Sequence, residues 1–415
     1  MKMKICLPFL LLLFPCYISC QNPEWVVFNS TNSGLGDNDV RSLSIDNNGV
    51  KWIGTVNDAV FTFDGAAWNH FNSANSYVFD DYILCISTDV QNNKWIGTRS
   101  GGMSEYDNSQ WFFWDETHSD IPDDKVYDVQ FEGSIKWVAT MHGLASFDGT
   151  TWTTWNTSNS QIPAEEVKAI AIDGSGNKWI TTAGGGIAKF DGTTWTVFDP
   201  SNSPLTDYYC SSLFYDGTFL WIGTSGHGLV RFDGTNWTVF NTTNSGLPSD
   251  FVFNTKAEGS KRWFATGAGL ALLEGTSWAV YNPSNSGLPG QIVKDIEIDA
   301  SGNKWLATDQ GLAEFRQGGV LSRDEIHNPS EQMNVEIIPN PCSDITRIQL
   351  NLMKNTPVKI DLLDGLGKVL NQGRGLSSTD GFYTWSVQTE HLPAGIYYVR
   401  ISSGKSFMSK KIIKY

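Results

Sequence analysis

The chain has 415 residues, with 29 Lys and Arg against 44 Asp and Glu, a formal net charge of −15. That balance argues against a nucleic-acid partner, because phosphate binding needs a basic footprint. Forty glycines, fifteen prolines and 13% aromatic residues suit an all-β chain with many tight turns. The charge is uneven: residues 334–415 hold ten basic against six acidic residues, +4, and residues 1–20 add two lysines, which leaves residues 21–333 with 17 basic and 38 acidic residues, −21. An acidic body with a basic tail predicts two modules with different roles.

Residues 1–20 read as a signal peptide. Lys2 and Lys4 precede the apolar run Ile5 to Phe14, which is too short to span a bilayer. Cleavage after Cys20 would leave Gln21 as the N-terminus. The alternative is acylation of Cys20, but Tyr17-Ile-Ser-Cys20 is a poor lipobox, so ordinary cleavage is expected. No other run approaches transmembrane length, and no transmembrane segment is expected.

From residue 25 onward the chain repeats. Trp52, Trp95, Trp137, Trp179, Trp221, Trp263 and Trp305 follow one another at steps of 43 and then 42 residues, a period that defines a repeat architecture. A second series runs Trp68, Trp111, Trp152, Trp195, Trp237, Trp278. Its seventh member is at the other end of the chain, in Trp25-Val-Val-Phe-Asn-Ser-Thr-Asn-Ser-Gly, nearly a copy of the segment at Trp237. The first residues therefore complete the last repeat, as a closed ring requires. Within one repeat, Val167–Ile172, Lys178–Thr182, Ile187–Phe190 and Trp195–Phe198 read as strands, separated by Asp173-Gly-Ser-Gly-Asn, Ala183–Gly186 and Asp191-Gly-Thr-Thr turns. Four antiparallel strands in about 42 residues make one blade. The prediction is an all-β chain: a seven-bladed β-propeller over residues 21–316. One column of the first strands reads Ser42, Cys85, Asp128, Ala169, Ser212, Asn254, Asp295, all short side chains suited to the crowded axis. The tryptophans belong further out, filling the wedges between blades. The glycines two residues later (Gly54, Gly97, Gly223) are expected to leave room for a neighbouring ring. The pattern Asp-x-x-Gly-Asn-Lys-Trp-Ile-Gly-Thr-x-x-Gly-Leu-x-x-Phe-Asp-Gly resembles the two-component regulator propeller repeat, over Trp25 to Phe315. That resemblance implies a ligand-binding propeller like the periplasmic sensor portions of hybrid histidine kinases in Bacteroidetes. Nothing here resembles their membrane, kinase or regulator parts.

Residues 317–333 lack the repeat and read as linker. Residues 334–415 contain about seven short strands, which suggests a small Ig-like β-sandwich. Pro339-Asn340-Pro341, Asp364 with Gly367, the Leu-x-x-Gly-x-Tyr segment around Gly395, and the closing Lys410 and Lys411 resemble the C-terminal sorting domain of the type IX (Por) secretion system. The resemblance implies the type IX machinery as a partner and passage through the periplasm to the outer surface or medium. It also implies removal of the domain near 317–333.

No catalytic constellation is recognisable. The histidines His70, His118, His142, His227, His327 and His391 form no HExxH, and neither GxSxG nor a phosphate loop occurs. Asp46-Asn-Asn-Gly49 and its equivalents fit no EF-hand spacing. Cys85, Cys210 and Cys342 form neither a zinc motif nor a disulfide framework and read as buried thiols. Neither a metal nor a cofactor is expected. The loops before strand one and after strand two of each blade share one face, where Tyr82, Arg99, His142, Tyr208, Tyr209, His227, Phe251 and Gln310 depart from the repeat. Aromatics mixed with Asp80, Asp81, Asp123 and Asp309 suit a glycan or a peptide. The expected function is a secreted, non-catalytic propeller that binds a polysaccharide or a protein. The alternatives are a propeller lyase or glycosidase and a protein scaffold or adhesin.

Overall fold

The structure, a computed structural model, describes residues 24–317 and, within 334–415, all but 341, 352–356, 365–368, 377–381 and 404–405. The leader with Cys20, linker residues 318–333, Pro341 and Gly367 lie outside the described residues. The chain divides into a unit Glu24–Gln317 and a C-terminal unit beginning at Gly318. No helix among the described residues is long and apolar enough to cross a membrane.

The first unit is seven four-stranded antiparallel sheets. Blade 4 shows how the repeat grammar builds one: Val167–Ile172, Lys178–Thr182, Gly186–Phe190 and Trp195–Phe198. The first turn forms because the Asp173 carboxylate accepts the N–H groups of Ser175 and Asn177, at 2.9 and 3.0 Å. Gly176 then takes φ +79°, a conformation that costs glycine nothing. The innermost strand Val40–Ile45 of blade 1 touches both Ile83–Thr88 of blade 2 and Val293–Ile298 of blade 7, so the ring is closed. Closure follows the offset predicted from the repeats. Trp25–Phe28 is the fourth strand of blade 7 and pairs antiparallel with Gly311–Phe315, Trp25 opposite Phe315 and Phe28 opposite Leu312. The Trp25 ring stacks on Phe315 at 4.4 Å.

The first tryptophan of every blade is buried and packs across the gap to the next blade, as Trp52 does on Tyr106 and Trp111 of blade 2, at 5.7 and 6.5 Å. Truncating such a ring costs about 3–5 kcal/mol. In six blades the indole N–H donates to the carboxylate that closes the preceding strand: Trp95 to Asp89, Trp137 to Glu132, Trp179 to Asp173, Trp221 to Asp216, Trp263 to Glu258, Trp305 to Asp299. Blade 1 differs. Asp46 pairs instead with Lys94 of blade 2 at 3.0 Å, and the buried Trp52 Nε1 has no acceptor. The lysine that precedes five of the seven tryptophans reaches back over the previous blade's indole: Lys51 over Trp305, Lys94 over Trp52, Lys136 over Trp95, Lys178 over Trp137 and Lys304 over Trp263.

One expectation is corrected. The glycines two residues after Trp52, Trp95 and Trp221 make room not for a ring but for the innermost strand of the next blade. A Cβ at Gly54 would lie 2.5 Å from the Ile83 side chain, at Gly97 2.7 Å from the Val126 carbonyl oxygen, and at Gly223 2.4 Å from that of Val252. The three described cysteines are free and buried.

The C-terminal unit is a three-stranded sheet (Asn334–Ile338, Ile345–Asn351, Phe382–Gln388) and a four-stranded one (Val369–Leu376, Pro357–Leu363, Gly395–Ser403, Ser406–Lys414). Both contribute to one core, with Ile348, Leu350 and Val387 from the first and Ile360, Leu362, Val399, Ile401 and Ile412 from the second, the arrangement of a sandwich. The sorting-motif residues frame it. The Pro339 carbonyl accepts the Thr346 hydroxyl at 2.8 Å, and Asn340 Oδ1 accepts the Ile413 N–H at 2.8 Å. Asp364 follows Pro357–Leu363, Gly395 opens its strand opposite Lys414, and Lys410 and Lys411 pair with Val399 and Tyr398.

Candidate functional site

All seven innermost strands carry the same irregularity, a register shift between the first and third residues. A bulge of this kind re-aims a side chain, and here it acts on the second residue: Arg41, Leu84, Tyr127, Lys168, Ser211, Phe253, Lys294. These seven and the seven short residues beside them all line one axial cavity of about 710 Å³.

The short residues also hold the ring. The inner edge of each first strand presents N–H groups that need acceptors. Ser42 Oγ accepts Ile86 N–H of the next blade at 2.9 Å, Asp128 accepts Ile170 N–H at 2.8 Å, and Asp295 accepts Leu43 N–H at 2.7 Å. Burial pushes the Asp128 carboxyl up to about 6 and Asp295 up to about 7. Glu297 adds to the Asp295 shift, while Lys256 and the Leu43 and Ile296 N–H groups oppose it. Burial pulls Lys256 down, but Glu297 (2.7 Å) and Asp295 outweigh it and hold the ammonium above its ordinary range. The carboxylates that closure brings together are thus already committed to donors.

The eight predicted rim residues fall into groups. Tyr82 and Arg99 meet in blade 2: the guanidinium stands 4.9 Å over the ring, and Arg99 N–H donates to the Tyr82 carbonyl. His142 Nδ1 hydrogen-bonds Asp123, and His227 Nδ1 does the same with Asp207 at 2.8 Å, so each histidine buttresses its own blade's turn. Tyr208, Tyr209 and Phe251 are 43, 57 and 49% exposed across blades 5 and 6. The Phe251 ring closes over Gly226, and Tyr209 over Gly184. Gln310 is exposed on the blade 7 turn. Only Tyr209 of the eight lines the cavity. Of the acidic residues, Asp80 accepts the Ser100 hydroxyl and Asp309 the Ile292 N–H. Glu116, Asp123 and His142 place three potential ligand atoms within 4.8 Å of one another, with the Asp123–His142 hydrogen bond already made.

Sequence reasoning missed the cavity wall. Arg41, Tyr127, Lys168 and Lys294 stand one residue from the column that was read. Tyr127 donates to Glu166, and Lys168 pairs with the same carboxylate while lying 3.8 Å from the Tyr127 ring. Lys294 pairs with Asp39. The signal was present: next to a uniformly short column stands one with long polar and aromatic side chains.

The fold and this face define a class, a seven-bladed propeller with a cavity on its axis, followed along the chain by a separate β-sandwich. Residues 336–415 match the family model of the secretion system C-terminal sorting domain. The chain is therefore a propeller exported by type IX secretion to the outer surface or beyond it. The comparison with curated proteins finds no match. Among solved structures the chain is similar to the extracellular domain of a putative hybrid two component system from B. thetaiotaomicron, with 19% identity, a TM-score of 0.63, and 94% of this chain and 57% of that one covered. It is similar also to PorZ, a surface component of the type-IX secretion system of Porphyromonas gingivalis, with 16% identity, a TM-score of 0.57, and 94 and 60% covered. A third likeness is virginiamycin B lyase from Staphylococcus aureus, with 13% identity, a TM-score of 0.57, and 70 and 98% covered. The chain spans about three fifths of the first two, and at these identities the likeness is one of fold.

Proposed function

We propose that the propeller is a non-catalytic binding module for a polysaccharide or a protein at the cell surface or outside the cell. The observation that carries this reading is the group Tyr208, Tyr209 and Phe251, large exposed rings on backbone that is itself held in place. Tyr208 carbonyl accepts Gly184 and Gly186 N–H at 3.1 and 2.9 Å, Tyr209 carbonyl accepts Ser225 N–H at 3.0 Å, and Phe251 carbonyl accepts Gly267 N–H at 3.1 Å. Rings presented on ordered backbone offer stacking area at little entropic cost. The non-catalytic part rests on the cavity carboxylates, each engaged in holding the ring or an ammonium.

The test is a glycan and peptide array probed with the full mature chain and with Tyr209→Ala/Phe251→Ala, followed by product analysis of every hit. Binding that weakens in the double variant, with the ligand recovered unaltered, is the expected result. Cleaved ligand overturns the non-catalytic reading, and undiminished binding by a folded double variant overturns the choice of face.

A further inference from the structure

The described part of the acidic propeller, residues 24–317, contains sixteen basic residues, and six of them (Arg41, Arg99, Lys125, Lys168, Lys256, Lys294) stand in the axial cavity or at its rim. Three are neutralised, Lys168 by Glu166, Lys256 by Glu297 and Lys294 by Asp39. Arg41, Arg99 and Lys125 have no ion-pair partner among the described residues. Each stands instead near a tyrosine ring. Arg41 and Arg99 approach Tyr82 at 6.0 and 4.9 Å, and Lys125 approaches Tyr127 at 5.1 Å. They come from blades 1, 2 and 3 in succession, so the three cations follow one arc of the mouth. The groups share a field: after burial, Lys125 and Arg41 both act to pull the Lys168 ammonium down, against Glu166.

In a body of this acidity, carboxylates to pair with are abundant, yet these three cations, Arg99 exposed and Arg41 and Lys125 half-buried, hold no ion pair among the described residues. Guanidinium donors in a fixed fork fit carboxylate and sulfate bidentately, and the Tyr82 and Tyr127 rings under these cations hold them in position. We infer that the arc formed by Arg41, Arg99 and Lys125, braced on the Tyr82 and Tyr127 rings, binds an anionic polysaccharide, its carboxylates or sulfates on the three cations. The surrounding negative surface repels a polyanion and confines it to this arc, and contacts across the mouth fall to Tyr209. This deepens the proposed function and rests on it.

The experiment measures binding of the full mature chain to polygalacturonate, dextran sulfate, neutral dextran and poly-glutamate at low and high salt. Polygalacturonate and dextran sulfate separate the carboxylate and sulfate sources of the anion. The expected result is binding to one or both polyanionic glycans, weakened by salt, no binding to dextran, and a loss of about tenfold or more in Arg41→Gln/Arg99→Gln/Lys125→Gln. Because these side chains hold no ion pair, the triple variant should melt with the wild type; if it does not, the exposed Arg99→Gln alone supplies the comparison and should still weaken binding. Failure to bind either polyanionic glycan, binding to poly-glutamate alone, or unchanged affinity in the folded variant overturns the inference. Neutral-glycan or peptide hits on the array without polyanion binding overturn this inference and leave the broader binding role standing, whereas an array without hits overturns both.

Discussion

The carboxylate of Asp295, in the seventh blade, accepts the backbone N–H of Leu43, in the first, at 2.7 Å. The same two blades meet at the rim, where Trp25–Phe28 completes the sheet of blade 7. The ring is therefore fastened twice, at its axis by one buried hydrogen bond and at its circumference by a strand from the other end of the unit.

Removing the outer fastening should open the ring. Deletion of residues 21–34 strips Gly311–Phe315 of its outer partner and leaves an unpaired edge. A lower melting temperature and aggregation on heating are expected, read by calorimetry and light scattering. Trp25→Ala, which keeps the strand but removes the stack on Phe315, should cost about 3 kcal/mol. Unchanged melting of the deletion would mean that closure does not depend on this strand.

The inner fastening carries a pH dependence of definite sign. Asp128 and Asp295 titrate near 6 and 7 in the folded chain against 3.8 as the ordinary value. Between about pH 4 and pH 7 the folded state binds more protons than the unfolded one, so stability falls as pH rises through that window and levels off above it. For Asp295 the full change is about 4 kcal/mol. Asp295→Asn should flatten that part of the profile in denaturant melts taken from pH 4 to 8. A wild-type profile that rises across the window would contradict the assignment.

The sandwich should act as an address. Removing residues 334–415 is expected to leave a folded propeller in the periplasm, by circular dichroism and cell fractionation. Fusing those residues to an unrelated periplasmic protein should carry it to the surface in a host with the type IX machinery. Surface display of the truncated chain would assign the domain another role.

Much of the ring was legible because its signals are periodic. Tryptophan positions, the short axial column and the displaced first strand can each be read by counting, and each is where counting put it. The charged cavity was not. Strict alternation along a strand puts Arg41 and Ser42 on opposite faces, and only the bulge brings both to the cavity. The lysines before five of the seven tryptophans look like surface residues until the previous blade's indole lies under them. Sequence marks His142 and His227 as departures from the repeat, and it does not show that each hydrogen-bonds a carboxylate of its own blade, Asp123 and Asp207. One dimension shows that a position has changed, while what it faces depends on how seven sheets close.

The offset closure also sets an order of manufacture. The strand that receives Trp25–Phe28 is synthesised after six whole blades, and the sorting domain only after that strand. A chain cut short anywhere in the ring lacks its export address, whereas a chain that carries the address already contains every piece its circle needs. Placing the shipping label last thus ties export to a finished circle.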